Sequence, residues 1–293
     1  MTIVPEIDTG NLMSFSRVLF GTPFALLGVM SVPEIASAAD PALMLPAVPY
    51  IPSASGGWTV TLGIGGEMGP SYPGAGSSML DPKPIISIRR AGTPARFKSM
   101  RDNASFALID YGRFRAGPVG AFKSARKAED HSELRGLKDV DFAVEIGGFA
   151  EYYAFDWLRV RSEVRRGFGG HEGIVADFSA DVILPLNERM TFAFGPRYTV
   201  TDAKYAQSYF NVSNIEALAS GLPAYDAKGG SNSVGVGAQV RYQLDKQWEV
   251  RGYVEYDKLL GSVADSPLVQ LRGSTNQVTY GLGVAYSFDI GVR

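Results

Sequence analysis

The chain has 293 residues, a formal net charge of −2, 34 glycines, 11% aromatic residues and no cysteine. So even a charge balance offers no concentrated basic face for a nucleic acid, and the lack of cysteine removes disulfides, thiolate metal sites and cysteine nucleophiles while suiting an oxidising compartment. The mean hydropathy of +0.00 fits strands that are half apolar and half polar.

At the N-terminus, residues 1–12 are polar and acidic, and Met13-Ser14-Phe15-Ser16-Arg17 reads as the true start. An apolar run follows from Val18 to Val32, broken by Pro23, and Ala36-Ser37-Ala38 supplies the small residues a signal peptidase reads. Residues 1–38 are therefore expected to be an N-terminal extension and signal peptide cleaved between Ala38 and Ala39, with 39–56 a short periplasmic segment. Beyond Ala39 no apolar run approaches the roughly 20 residues a spanning helix needs, so any later membrane crossing must use strands.

From Trp58 onward, period-2 alternation recurs in segments of about ten residues, the length a tilted strand needs to cross a bilayer. Phe142, Val144, Ile146 and Tyr152 share one face while Glu145, Glu151 and Tyr153 share the other. Val160 and Val164 alternate with Arg159, Arg161 and Arg165, and Ala176, Phe178 and Ala180 alternate with Asp177 and Asp181. Later, Val236 and Val240 oppose Gln239 and Arg241, and Val250 and Val254 oppose Arg251 and Glu255. The pattern predicts twelve strands, at 58–67, 82–90, 95–100, 104–110, 115–124, 141–154, 157–167, 173–184, 189–201, 232–243, 247–259 and 276–288.

Tight connections at 91–94, 155–156, 185–188 and 244–246 largely alternate with long polar ones at 69–81, 125–140, 202–231 and 260–275. Short inner turns, long outer loops and an even strand count are the marks of an all-β, transmembrane, antiparallel up-and-down barrel, here over 57–288. Trp157, Tyr242, Trp248, Tyr286 and Phe288 flank the short turns or the chain end, where an interfacial girdle belongs. The last strand is apolar at every second position, and its Gly283, Tyr286 and Phe288 resemble the C-terminal signal read by the outer-membrane assembly machinery. Residues 289–293 follow as a periplasmic tail.

The charged positions bear on chemistry. A midplane Arg facing lipid costs about 2–4 kcal/mol, so Arg159, Arg161 and Arg165 should face the lumen, beside Glu145 and Glu151 before them and Asp177 and Asp181 after them. Mixed signs on adjacent strands favour a salt-bridged, filled interior over a selective pore lining. His131 and His171 both fall in outer loops, and a solvated loop His is the better reading of His131. Asp130-His131-Ser132 is too local to form a hydrolytic relay, and His171-Glu172 lacks the second His of a zinc motif. Gly63-Ile64-Gly65-Gly66 lacks the Lys and helix of a phosphate loop and reads as close strand packing. No catalytic residue, metal or cofactor is assigned.

Several segments carry a family resemblance. Gly136 to Ala143, Gly195-Pro196-Arg197-Tyr198, Ala203-Lys204-Tyr205 with Tyr209-Phe210, Tyr225-Asp226-Ala227 with Gly229-Gly230, and Leu259-Leu260-Gly261 to Asp265-Ser266-Pro267 together are similar to the MipA/OmpV family of outer-membrane proteins. The resemblance covers most of 56–288 and implies an envelope location. Because founding members include a scaffold for the murein transglycosylase MltA, it implies a non-enzymatic platform for a murein transglycosylase or peptidoglycan synthase. The expected surroundings are outer-membrane lipid and the assembly machinery, with no nucleic acid. The alternative is a channel for small solutes, with the 202–231 loop folding inward as a constriction.

Overall fold

The computed structural model describes residues 56–92 and 95–291. The expected signal peptide, the Ala38/Ala39 junction, the 39–55 segment, Thr93-Pro94 and the last two residues lie outside the described part. Within it, alternating sequence has become alternating exposure. Along the strands, Leu62, Ile64, Val164, Phe178, Val236 and Leu282 are exposed, while Thr61, Glu145, Arg165, Asp181, Gln239 and Glu255 are buried. A wall that is apolar outside and charged inside is stable when lipid surrounds it, because strand backbones are satisfied by their neighbours and only greasy side chains meet the hydrocarbon.

The strands are β1 (Gly57–Pro70), β2 (Ser78–Arg90), β3 (Ala104–Ser105), β4 (Ile109–Tyr111), β5 (Phe114–Lys123), β6 (Ala143–Phe155), β7 (Leu158–Gly169), β8 (Ile174–Pro185), β9 (Met190–Thr201), β10 (Gly230–Gln243), β11 (Trp248–Leu259) and β12 (Asn276–Gly291). They form one sheet in the order β2-β1-β12-β11-β10-β9-β8-β7-β6-β5-β3, with β4 also on β5. Pairing between the first and last strands, from Gly57↔Gly291 to Met68↔Tyr280, curls the sheet into a nearly closed barrel. Close strand approach has a residue-level cause at Gly147, where a Cβ would lie 1.8 Å from the Val164 carbonyl oxygen.

Two expectations need correction. Residues 95–100 are not a strand, and 104–110 is broken into β3 and β4, which cover only the lower part of β5. The predicted tail also starts too early, because Asp289, Ile290 and Gly291 continue β12 against Thr59, Trp58 and Gly57, and Thr59 Oγ1 donates to Asp289 Oδ1 at 2.5 Å.

The first correction leaves a seam, for no strand among the described residues pairs with the second edge of β2. Ala91 N donates to Gly57 O, so odd positions of β2 turn their main chain toward β1 and even ones toward the seam; Ile86 O accordingly receives Lys98 Nζ at 3.0 Å. Pro82 and Pro84 share the even parity. A proline has no N–H to offer, so it fits an edge strand and blunts it against further pairing.

Inner turns at 112–113, 156–157, 186–189 and 244–247 are short, and the outer connections carry helices α1 (Ala203–Phe210), α2 (Asn214–Ser220), α3 (Gly261–Ala264) and α4 (Pro267–Arg272). Near the inner turns, Phe155 stacks on Trp157 at 5.1 Å and Trp248 meets Tyr286 at 4.9 Å.

Candidate functional site: a plugged lumen between an outer cap and a periplasmic vestibule

The segment missing from the wall is inside it. After the turn that follows β2, residues 97–103 run within the barrel and bond to strands all round it. Tyr153 Oη on β6 donates to Phe97 O, Met100 N donates to Gln239 Oε1 on β10 at 2.7 Å, and Gln239 Nε2 returns a bond to Lys98 O. Asn103 Nδ2 reaches Glu163 on β7 at 2.7 Å. Arg101 is the latch: it contacts Asp177 and Thr199 on β8 and β9 at 3.1 and 3.0 Å, and Glu255 and Asp257 on β11.

Around this plug the structure places the predicted charge cluster. Because β7 turns every second residue inward, Arg159, Arg161, Glu163 and Arg165 stack along one lumen face. Arg159, only 1% exposed, grips Glu151 at 2.9 Å, Asp181 at 3.1 Å and the plug's Asp102 at 2.6 Å. Arg161 spans Glu151 and Glu163 at 3.0 and 2.7 Å and lies 4.1 Å over the Phe149 ring. Arg165 reaches Glu145, Glu163 and Asp177 at 2.8, 2.6 and 2.6 Å. Every residue of the predicted cluster, Glu145, Glu151, Arg159, Arg161, Arg165, Asp177 and Asp181, thus enters one network. Sequence reading missed Arg101, Asp102, Asn103, Arg197 and Glu255. Arg197 joins Asp181 to Glu255 at 2.7 and 3.3 Å, and inward parity on β9 and β11 could have found that pair.

Buried charges desolvated to this extent are tolerated only when each is paired and hydrogen-bonded. The space left among Arg101, Asp102, Asn103, Arg161, Glu163 and Asp177 is about 20 Å³, room for a single water.

A cap closes the outer end. Tyr205, Ala206, Tyr209 and Phe210 of α1 are buried in one cluster with Val140, Val263 and Val269. Asp202 caps α1 through Tyr205 N, and Ser213 with Glu216 makes a capping box on α2. Glu216 also accepts Lys138 N at 2.9 Å, and Arg126 Nη1 donates to Tyr209 O at 2.6 Å, so the 125–140 loop is tied to both helices. Gly136, at φ +83°, lets that loop touch α2, since a Cβ there would lie 2.6 Å from Ala219. Burial, reinforced by the nearby Glu145 carboxylate, pushes the Tyr209 hydroxyl up to about 12.

His171 lies in an outer connection, as expected, and belongs to this cap. It is 1% exposed: its Nε2 meets Glu145 Oε1 at 3.1 Å and its ring lies edge-on to Tyr205 at 5.0 Å. Packing by α1, a helix in a segment read as loop, is the reason. His131 lies partly covered, 5.2 Å from the Tyr72 ring.

At the inner end is a vestibule of about 440 Å³, bordered by Thr59, Arg89, Lys246, Gln247, Ser287 and Asp289. Of the C-terminal residues read as an assembly signal, Phe288 borders it and stacks 6.0 Å from Tyr286, while Gly283 lies further along β12, paired with Gly65.

Fold and interior together define an outer-membrane antiparallel β-barrel whose lumen is occupied by its own chain. Residues 62–288 match the family described as MltA-interacting protein MipA, and the chain belongs to that family. Over 187 residues it is 29% identical to outer membrane protein OmpV of Vibrio cholerae serotype O1, a match spanning 62% of this chain and 66% of that relative. Among solved structures it is similar to the NanC porin (TM-score 0.38, 10% identity, 78% of this chain and 98% of that one). It is also similar to an outer membrane channel from Pseudomonas putida F1 (TM-score 0.38, 9% identity, 82% and 98%).

The family's sequence segments also gain a location. Ser266 Oγ donates to Phe210 O at 2.7 Å, Tyr225 Oη bonds Ser262, and Ala227 N bonds Asn211 Oδ1, so segments far apart in the chain meet in the cap.

Proposed function

We propose that the protein is a non-enzymatic platform in the outer membrane that docks peptidoglycan-remodelling enzymes at its periplasmic face. The observation that carries this reading is the filled lumen: Arg101 and Asp102 of the plug are ion-paired to the β7, β8 and β11 walls, and about 20 Å³ remains between them. A pore needs a continuous wet path with binding weak enough to release its solute. A barrel closed by its own charges instead offers a rigid surface. The family description, MltA-interacting protein, supports a murein transglycosylase as the partner.

The test is affinity capture of the full chain from solubilised envelopes, with a lytic transglycosylase or peptidoglycan synthase expected among the retained proteins. Retention of neither class sinks the platform. Planar-bilayer recordings on the same preparation separate the channel alternative: the platform predicts no steady conductance, and stable solute-blocked currents would favour transport.

A further inference from the structure

The wall lacks a strand among the described residues, and the chain that would supply it is the plug. With β3 and β4 taken as one position along β5, eleven strands follow one another round the wall, each antiparallel to its neighbour. An all-antiparallel cylinder needs an even number, so eleven bring two edges of the same direction to the seam, and these cannot form an antiparallel ladder with each other. Both β2 and β3-β4 run toward the inner turns. Residues 95–103 connect them and therefore run the opposite way, the direction that the gap calls for. Inside the barrel this segment joins no ladder. Its main chain is held by side chains instead: Ser99 N donates to Asp102 Oδ2 at 3.0 Å and Met100 N to Gln239 Oε1 at 2.7 Å, while Lys98 O accepts Gln239 Nε2 at 3.1 Å and Phe97 O accepts Tyr153 Oη at 3.3 Å. At the seam, Ile86 O receives the Lys98 ammonium where a neighbouring strand would offer a backbone N–H.

We propose that residues 95–100 have a second seat, as a wall strand between β2 and β3, and that moving there unplugs the lumen and opens a passage for small ions. The residues fit that seat. Continuing β2 as a hairpin with Arg90 opposite Ala95 sets Ile88 against Phe97, Ile86 against Ser99 and Ile85 against Met100. Cross-strand partners share a face, so Phe97 joins the exposed Ile86 and Ile88 toward lipid, and Met100 joins the buried Ile85 toward the lumen. Arg96 and Lys98 fall on the lumen face with Met100, and neither charge meets hydrocarbon. The ladder also ends where it has to. Its next pair would set Arg101 opposite Pro84, which has no N–H to give, so pairing stops before Arg101 is turned to lipid. Drawing 97–100 into the wall pulls Arg101 from Asp177 and Glu255, and Asp102 from Arg159, the ion pairs that hold the plug. Those pairs keep the plugged seat the populated one at rest, so the parent barrel stays silent. The inference goes beyond the docking platform and does not rest on it.

The chain has no cysteine, so engineered pairs can report the seat. In the plugged seat Ile88 faces outward while Phe97 packs inside against Tyr153, Ile183 and Ala193, and a disulfide between Ile88→Cys and Phe97→Cys closes only in the wall seat. Ile86→Cys/Ser99→Cys, the next outward pair of the same register, repeats the test with Phe97 intact. Thr61→Cys/Ser287→Cys, opposite each other on β1 and β12, is the control for oxidation. The full chain is oxidised in detergent, cross-linking is read as loss of maleimide labelling, and a heat-modifiable gel shift establishes that each variant is folded. Both wall pairs should cross-link, steady conductance in planar bilayers should appear with the cross-link, and reduction should abolish it. Adding Arg101→Ala, which removes bonds to charged partners, should speed cross-linking about tenfold. The proposal is overturned if neither wall pair cross-links while the control pair closes, or if the cross-linked barrel conducts no better than the reduced one or than Phe97→Cys alone. Affinity capture of enzymes is indifferent to these outcomes, so the platform and the second seat stand or fall separately.

Discussion

The central lumen and the stretch of β10 and β11 nearer the inner turns are built from inward positions of one sheet, yet they treat charge differently. In the centre each arginine has two or three carboxylates, and a chain segment seals what remains. Nearer the inner end, Arg241 and Arg251 face each other across β10 and β11, and among the described residues only Arg251 of the two is ion-paired, to Glu249. The contrast separates cohesion from repulsion. A paired buried network fixes how the barrel fills itself, whereas a like-charge pair that shares one carboxylate contributes less to holding the wall together.

The comparison breaks first at Arg159. Replacing it with Met strands Glu151, Asp181 and Asp102 without their shared cation, and the expected loss is about 3–5 kcal/mol, read as a lower urea midpoint for unfolding in detergent. An unchanged midpoint would mean that the central network is not cohesive. Arg101→Ala releases the latch, and losing its bonds to charged partners should cost about 1.5–3 kcal/mol. It should also bring flickering conductance to a barrel whose parent form is expected to be silent in planar bilayers, whereas silence of the variant would place the seal elsewhere.

Smaller effects sharpen the picture at the two ends. Ser213→Ala removes the α2 capping box and should cost about 1 kcal/mol, visible as faster protease cleavage of the outer loops. Burial raises the pKa of Glu216, but bonds from Ser213 and from Lys138 N outweigh it and hold the carboxylate below its ordinary 4.5. A lowered folded-state value means that its contribution is present above pH 4.5 and fades as pH falls through that lower value. Cap proteolysis should therefore accelerate on acidification in the parent and respond less in Glu216→Gln. Smallest of all, Arg241→Gln should shift stability by no more than about 0.5 kcal/mol, since it relieves a like-charge pair. A loss as large as that of Arg159→Met would mean that Arg241 is structural, and the contrast between the two regions would fail.

The wall was legible in the sequence because alternation is local: Val160 and Arg161 declare their faces without reference to any neighbour. For the same reason the row of Arg159, Arg161 and Arg165 could be assigned to the lumen beside Glu145, Glu151, Asp177 and Asp181. The plug was not legible. Phe97 to Asn103 has no period, and its conformation is dictated by partners as far away as Asp177 and Glu255, separations of 76 and 154 residues from Arg101. The burial of His171 was not legible either, since it depends on α1, whose tyrosines pack downward onto it. A sequence window reports which side of a strand a residue prefers, and it is silent about what a distant segment will place there.

The seam beside Pro82 and Pro84 gives the wall an uneven fastening. The joint where the first and last strands of the barrel meet is zipped over twelve residue pairs, while the edge of β2 two strands away has no ladder on its outer side among the described residues. Amide hydrogens of Ile86 and Ile88 on that side should exchange with solvent deuterium well before those of β12, although both lie in the same sheet. Whatever forces the cylinder apart, heat or a pulling tether, should therefore peel it from the outer edge of β2, leaving the first and last strands of the barrel holding each other to the last.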